Sequence, residues 1–350
     1  MKDASTDKPS TDLAAGIKDI LAFIEQEREQ EIISRRFGLK NGRETLEQIG
    51  ELLGITRERV RQLEKAILIR LKAAAEEGKI EVINSLEKVL VRNLTELGRV
   101  ARVQDLTDRL LGHPSDNHES AHVAFIAELA PGLTVVYEND NYRHSIGIRE
   151  YGDDKKIRTE VDAIVKAIKE HGEPLTIEDL HEKLDYEHPD HVRAFASVSK
   201  HLSHLKGSWG LNKWPTVNPK NIRDKIYVVL AEKGEPMHFS EIAQAIKSSD
   251  FKRKNVTTQA IHNELIKDFR FVLIGRGIYA LDSWGYSKGT VADIITDILK
   301  KSPSPMHRDE IIKQVLKSRQ VKETTILLNL QSKPQFKRVA KATYTLRPEA

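Results

Sequence analysis

A nine-residue phrase recurs along this 350-residue chain and limits what the chain can fold into. Gly172-Glu-Pro-Leu-Thr-Ile-Glu-Asp-Leu180 resembles Gly234-Glu-Pro-Met-His-Phe-Ser-Glu-Ile242 and Pro303-Ser-Pro-Met-His-Arg-Asp-Glu-Ile311. Gly98-Arg-Val-Ala-Arg-Val-Gln-Asp-Leu106 is a weaker copy. The copies stand roughly 60–75 residues apart, longer than the period of a stacked solenoid, so each belongs to a small domain in a tandem array. Around each phrase the grammar is the same. A helical pattern precedes it, at 161–171, 222–233 and 291–301. The phrase supplies a short extended apolar touch and then a capped helix, and a further helix follows. A β-rich tail closes each unit, at 133–148, 207–217, 269–281 and 336–346.

Helix, strand, helix, helix, hairpin is the order of a winged helix. In such a domain the third helix can enter a major groove and the hairpin can touch phosphates. Winged helices also serve as protein-docking modules, so the fold alone does not decide between the two. Low glycine (19) and proline (12) agree with a mainly helical chain. With 39% hydrophobic and 31% charged residues the chain can bury cores under a highly charged surface. It has no cysteine, which excludes disulfides, thiolate metal sites and a cysteine nucleophile. No run reaches the length of a membrane span, and residues 1–10 lack a signal-peptide core, so the expected location is the cytoplasm.

The net charge of +4 hides an asymmetry. Residues 1–53 carry eight basic and eleven acidic side chains, whereas residues 54–72 carry six basic against two acidic. Residues 300–350 carry twelve basic and four acidic. Two separated basic regions point to a polyanionic partner.

The first of them holds Thr45-Leu-Glu-Gln-Ile-Gly-Glu-Leu-Leu-Gly-Ile-Thr-Arg-Glu-Arg-Val-Arg-Gln-Leu-Glu-Lys65, a helix-turn-helix by its spacing. Leu46, Ile49 and Leu52 line one helix, and Gly54 permits a left-handed turn. Thr56 caps a second helix that buries Val60, Leu63 and Ile67. Arg57, Glu58, Arg61 and Gln62 then face outward near its N-terminus, where base edges are reached. Arginine suits guanine, glutamine adenine and glutamate cytosine. Arg59 and Lys65 are placed for phosphates.

This stretch closely resembles the fourth conserved region of the primary sigma factors of bacterial RNA polymerase. Glu27-Arg-Glu-Gln-Glu-Ile-Ile-Ser-Arg-Arg-Phe-Gly-Leu39 matches the first half of that region. The resemblance implies that Arg57, Glu58, Arg61 and Gln62 contact the bases of a minus-35-like promoter element. It also implies backbone contacts from Arg35, Arg36, Arg43, Thr56, Arg59 and Lys65, and docking on the flap of the polymerase β subunit. In that family the region follows domains that recognise and melt the minus-10 element. These residues hold no counterpart, so the expectation is a DNA reader without the domains for promoter melting. Residues 222–284 resemble a second family, the HARE-type winged helix found in the delta subunit of bacterial RNA polymerase and in fusions with restriction enzymes. Gly234-Glu-Pro-Met-His-Phe-Ser-Glu-Ile-Ala243, Gly275-Arg-Gly-Ile-Tyr-Ala-Leu281 and Trp284-Gly285 carry that resemblance. Gly275 and Gly277 read as a tight hairpin with Arg276 toward a phosphate, and Lys252, Arg253 and Lys254 as cations before a helix N-terminus.

The expected fold class is mainly α: a sigma-like helix-turn-helix domain followed by tandem winged-helix (α+β) domains. The expected division is a disordered tail at 1–12, the sigma-like domain at 13–75, a helical connector at 76–91, and winged helices at 92–150, 158–217, 222–285 and 290–346. His188, His191, His201 and His204 form two i,i+3 pairs that could share a helix face, yet no metal and no cofactor are expected. Trp209, Trp214 and Trp284 read as plugs of small cores. No phosphate-binding loop, nucleophile elbow or metalloprotease motif occurs, so a non-enzymatic regulator is expected. Its expected partners are double-stranded promoter DNA and bacterial RNA polymerase, with no membrane and a nucleoid-associated location. Two alternatives stay open: a polymerase-binding adaptor that does not read DNA, and a DNA-targeting subunit of a restriction or defence system.

Overall fold

The computed structural model describes residues 13–251, 253 and 255–347. The tail expected at 1–12 lies outside them, as do Lys252 and Lys254. In each copy the repeated phrase folds into one device. Its leading glycine ends a helix in the left-handed region in three copies, at Gly98 (φ 96°), Gly172 (86°) and Gly234 (70°). Its fifth residue (Arg102, Thr176, His238 or His307) ends a short strand and is the N-cap of the next helix. The strands are β1 (Val100–Arg102), β4 (Leu175–Thr176), β7 (Met237–His238) and β10 (Met306–His307).

Each short strand adds to a hairpin in the same way. The hairpins are β2 (Leu133–Val136) with β3 (Ser145–Ile148), β5 (Leu202–Leu205) with β6 (Ser208–Leu211), β8 (Phe271–Leu273) with β9 (Ile278–Leu281), and β11 (Phe336–Ala340) with β12 (Thr343–Leu346). The sheet orders β1-β3-β2, β4-β6-β5, β7-β9-β8 and β10-β12-β11 give four winged helices, all antiparallel. The fourth phrase residue pairs a large partner each time: Ala101 with Ile146, Leu175 with Trp209, Met237 with Tyr279 and Met306 with Tyr344. Trp209, Tyr279 and Tyr344 are all buried, so these aromatics fill cores.

The chain divides into two compact units, 1–213 and 214–350. The first begins with α1 (Leu13–Ala22), α2 (Glu27–Phe37), α3 (Leu46–Leu53), α4 (Arg57–Glu76) and α5 (Glu81–Leu97). It continues with α6 (Val103–Leu111), α7 (Asn117–Leu129), α8 (Asp154–His171), α9 (Ile177–Leu184) and α10 (Pro189–Val198). Thr45 and Gln48 form a capping box that starts α3, and Thr56 caps α4. Ile32, Ile49 and Val60 make a small core inside the helix-turn-helix. A larger core is shared more widely: Ile17 and Ile20 of α1, Ile67 and Leu71 of α4, and Leu90 of α5 meet Phe125 and Ile126 of α7. The Phe37 and Phe125 rings lie 4.8 Å apart, and the Leu39 carbonyl oxygen meets His118 Nε2 at 2.7 Å and His122 Nε2 at 3.1 Å.

The helix-turn-helix and the first winged helix therefore share one interior. The division expected at 92 falls inside α5, and the stretch 76–91 is a turn at Gly78 followed by most of that helix. The second winged helix is joined as closely. Its third helix, α10, lies so near Gly98 that a β-carbon there would collide with the Asp190 carbonyl. Arg143 donates to the carbonyls of Ser197, at 2.7 Å, and Ser199.

The second unit holds α11 (Ile222–Lys233), α12 (Phe239–Ser248), α13 (Thr258–Lys267), α14 (Val291–Lys301), α15 (Arg308–Ser318) and α16 (Glu323–Ser332). Its two winged helices touch where the Gln320 amide donates to the Ile274 carbonyl at 3.0 Å, beside the β8–β9 turn. Gly275 is needed there, because a β-carbon would stand 2.9 Å from the Gln320 carbonyl oxygen.

Candidate nucleic-acid interface

Helix α4 spans 20 residues, and its two halves meet different surroundings. Ile67, Leu71, Ala74 and Ala75 are buried in the shared core. Arg57, Glu58, Arg59, Arg61, Gln62 and Lys65 are exposed, and Val60 and Leu63 anchor the first turns on α2 and α3. The turn that aims this half outward needs two glycines. Gly54 adopts φ 63°, as expected. Gly50 was not singled out in the sequence, yet a β-carbon there would stand 2.7 Å from the Ile55 carbonyl oxygen. Its signal was a glycine inside a helical pattern.

Glu58 organises the outward face. Its carboxylate accepts from Arg61 Nε at 2.8 Å, Arg61 Nη2 at 2.7 Å and Gln62 Nε2 at 3.3 Å. The Arg61 hydrogen bond holds the Glu58 pKa down to about 2, and the same bond raises that of Arg61. Arg57 Nη1 pairs with Glu47 at 2.7 Å, and Arg59 Nη1 reaches Gln62 Oε1 at 3.4 Å. Exposed pairs of this kind add little stability. They bring the long side chains of this face within hydrogen-bond reach of one another.

The other expected contacts divide in two. Thr56 is exposed, and its Oγ1 accepts from the Arg59 amide at 3.2 Å, which leaves the hydroxyl proton to donate outward. Arg43 is exposed on the α2–α3 loop. Arg35 and Arg36 instead sit half-buried. Arg35 bridges Glu31 at 2.5 Å and Glu44 at 2.7 Å, and both bonds raise its pKa. Arg36 Nε pairs with Glu64 at 3.1 Å, tying α2 to α4. In the second unit Arg276 is exposed in the β8–β9 turn, and Arg253 is exposed with φ 55°.

The four histidines do not converge. His188 caps α10 through Nδ1, His201 Nε2 meets Asn141 Oδ1 at 2.9 Å, and His204 stacks on Trp209 at 4.8 Å. His201 and His204 lie at and in strand β5, where residues three apart face opposite sides, so the expected shared helix face does not form there. Among the described residues no group of three or more His, Asp or Glu side chains could hold a metal ion. Sequence reading also missed a cleft of about 970 Å³ in the first unit, lined in part by Arg43, Arg102, Tyr137, Arg143 and His144. Its residues come from α2–α3, α6, α7 and the β2–β3 loop, and no local pattern announces such a convergence.

The four winged helices differ in charge and in what covers their third helices. The segments 92–150 and 158–217 are acidic, with six basic to nine acidic and eight basic to ten acidic residues. The segment 222–285 carries ten basic and eight acidic residues, and 290–346 carries eleven and five. In α7, six residues are buried, including Phe125 and Ile126, and α10 packs on β1 and α8. In α13 and α16 only two each are buried, and Ile266 and Leu328 are 64% and 62% exposed.

A basic second helix behind a glycine turn, together with tandem winged helices, gives this chain a helix-turn-helix architecture. The matches to known proteins are specific. Residues 26–73 match the family model of sigma-70 region 4, and residues 222–284 match that of the HARE-HTH domain, the helix-turn-helix of ASXL and restriction endonuclease proteins. Among curated proteins, RNA polymerase sigma factor sigB of Arabidopsis thaliana is 50% identical over 46 residues, 13% of this chain and 8% of that protein. SigA of a Bacillus species is 44% identical over 57 residues, 16% of this chain and 15% of its own. The principal sigma factor HrdC of Streptomyces coelicolor is 47% identical over 62 residues, 17% and 18%. The chain thus spans less than a fifth of the length of these relatives, and the likeness is confined to the region 4 segment. Among the described residues no helix is long and apolar enough to cross a membrane.

Proposed function

We propose that this chain is a sigma-like transcription regulator that reads a minus-35-like promoter element with α4 and contacts bacterial RNA polymerase, without catalysing a reaction. The observation that carries the reading is the exposed face of Arg57, Glu58, Arg61 and Gln62 on the first turns of α4. Two of the five guanidinium donors of Arg61 are held by Glu58, which leaves others for the O6 and N7 acceptors of guanine. Arg59, Lys65, Thr56 and Arg43 supply phosphate contacts that fix register. The polymerase contact, with the β flap as the expected surface, and a place at the nucleoid follow from the sigma likeness.

The test is a titration of the full chain against duplexes with an intact or a scrambled minus-35-like hexamer. Arg61→Ala should weaken binding to the intact hexamer by about 1–3 kcal/mol and relax choice at one base pair. An equal loss on both duplexes would make Arg61 a phosphate contact. No hexamer preference in the wild type, with the isolated polymerase β flap bound instead, would make the chain an adaptor.

A further inference from the structure

We propose that the fourth winged helix is a second, sequence-blind contact for duplex nucleic acid, and that it binds through its β11–β12 hairpin rather than its third helix. The proposal stands apart from the reading of α4.

The hairpin concentrates cations without ion-pair partners. Lys337 and Arg338 lie on β11, Lys341 lies in the turn to β12, and Lys333 caps the end of α16. All four are exposed, and none forms a salt bridge with a carboxylate among the described residues. Arg338 Nε only touches the Ala340 carbonyl, at 3.2 Å, next to a register shift between Arg338 and Ala340. Several arginines elsewhere are paired by contrast: Arg35, Arg36, Arg57, Arg61, Arg70 and Arg109 each meet a glutamate. Lys333 faces the Asp293 carboxylate, whereas keeping Lys337, Arg338 and Lys341 together costs repulsion that a polyanion would relieve.

The third helix lacks what a groove-reading helix needs. Glu323–Ser332 contains no basic residue, and an acid, Glu323, occupies its first turn, where phosphates would approach. Its outward surface is apolar at Leu328. A two-stranded ribbon, by contrast, fits a major groove. From Lys337 to Lys341 the ribbon extends about 13 Å, enough to reach more than one phosphate of one strand. A lipid surface is the less suited polyanion, because Val339 is the one exposed large apolar side chain of the hairpin among the described residues.

The experiment uses the full chain with the triple variant K337E/R338E/K341E, and K337Q/R338Q/K341Q as a milder partner. Binding to a scrambled 30-base-pair duplex is titrated across a salt series, with anionic phosphatidylserine vesicles as a second probe and thermal melting as a check of folding. Loss of three phosphate contacts should flatten the log K against log salt slope by about 2.7 and weaken low-salt binding roughly tenfold or more. The loss should be equal on intact and scrambled hexamers, whereas Arg61→Ala acts on the intact hexamer alone, so the two sites fail separately. Unchanged slope and affinity in the glutamine variant, melting as the wild type does, would overturn the proposal. Loss of vesicle binding without loss of duplex binding would overturn it too, in favour of a membrane contact.

Discussion

The first two winged helices and the last two share one topology but use their third helices in opposite ways. Helices α7 and α10 are built into interiors, α7 against the helix-turn-helix and α10 against β1 and α8. In helices α13 and α16 only two residues each are buried, and Ile266 and Leu328 are exposed. Charge follows the same line, acidic in the first pair and basic in the second. A winged helix whose third helix is covered cannot offer it to a groove, so a repeated fold here serves as scaffold in one unit and as free surface in the other.

The largest test of this contrast is Phe125→Ala. It removes a fully buried ring from the α2–α7 junction and should cost about 3–5 kcal/mol. In a urea series followed by hydrogen exchange, the amides of α4 and α7 should lose protection together. Retained protection in α4 would show that the two domains do not share a core. A sharper comparison uses the leading glycine of the phrase. Gly98→Ala should cost about 3 kcal/mol, because a left-handed backbone and a collision with Asp190 act together. Gly234→Ala and Gly172→Ala meet open space and should each cost about 1 kcal/mol. Equal losses at all three would mean that α10 is not held against Gly98.

The smallest effect is on pH. Burial lowers the pKa of His122, His144 and His191 from the ordinary 6.5. The unfolded chain then binds more protons than the folded one below that value. Stability of the first unit is therefore complete above pH 6.5 and declines as pH falls toward the lowered values. His122→Gln, which keeps a donor for the Leu39 carbonyl, should flatten the decline by less than about 1 kcal/mol, read from melting temperatures between pH 7 and 5. A slope unchanged in this variant would assign the effect to the other two histidines.

The local grammar was legible because each part of it is a local event. Gly54, the Thr45 and Thr56 caps and the strand–cap–helix phrase act on residues within a few positions of themselves. What covers a helix face was not legible. The stripe Val60, Leu63, Ile67 and Leu71 reads as one apolar side, yet Val60 meets α2 and α3 while Ile67 and Leu71 join the core shared with α5 and α7. Periodicity states that a face is buried and is silent about its partner. The clue was α7 itself, buried nearly all round and with histidines as its only basic residues. Among the site residues, the outward set on α4 followed from helical spacing. The engagement of Arg35 and Arg36 did not, since Glu44 and Glu64 reach them from other elements.

One consequence is mechanical. A 20-residue helix such as α4 is a rod of about 30 Å. One end stands in solvent with Arg57 and Arg61, and the other is clamped among Ile83, Phe125 and Ile126. A tilt of about 5° about the clamped end moves the outward arginines by about 3 Å over that length, a rotation that the close-packed side chains around Ile67 and Leu71 resist. Load applied to the outward arginines is thus borne by the first winged helix as well.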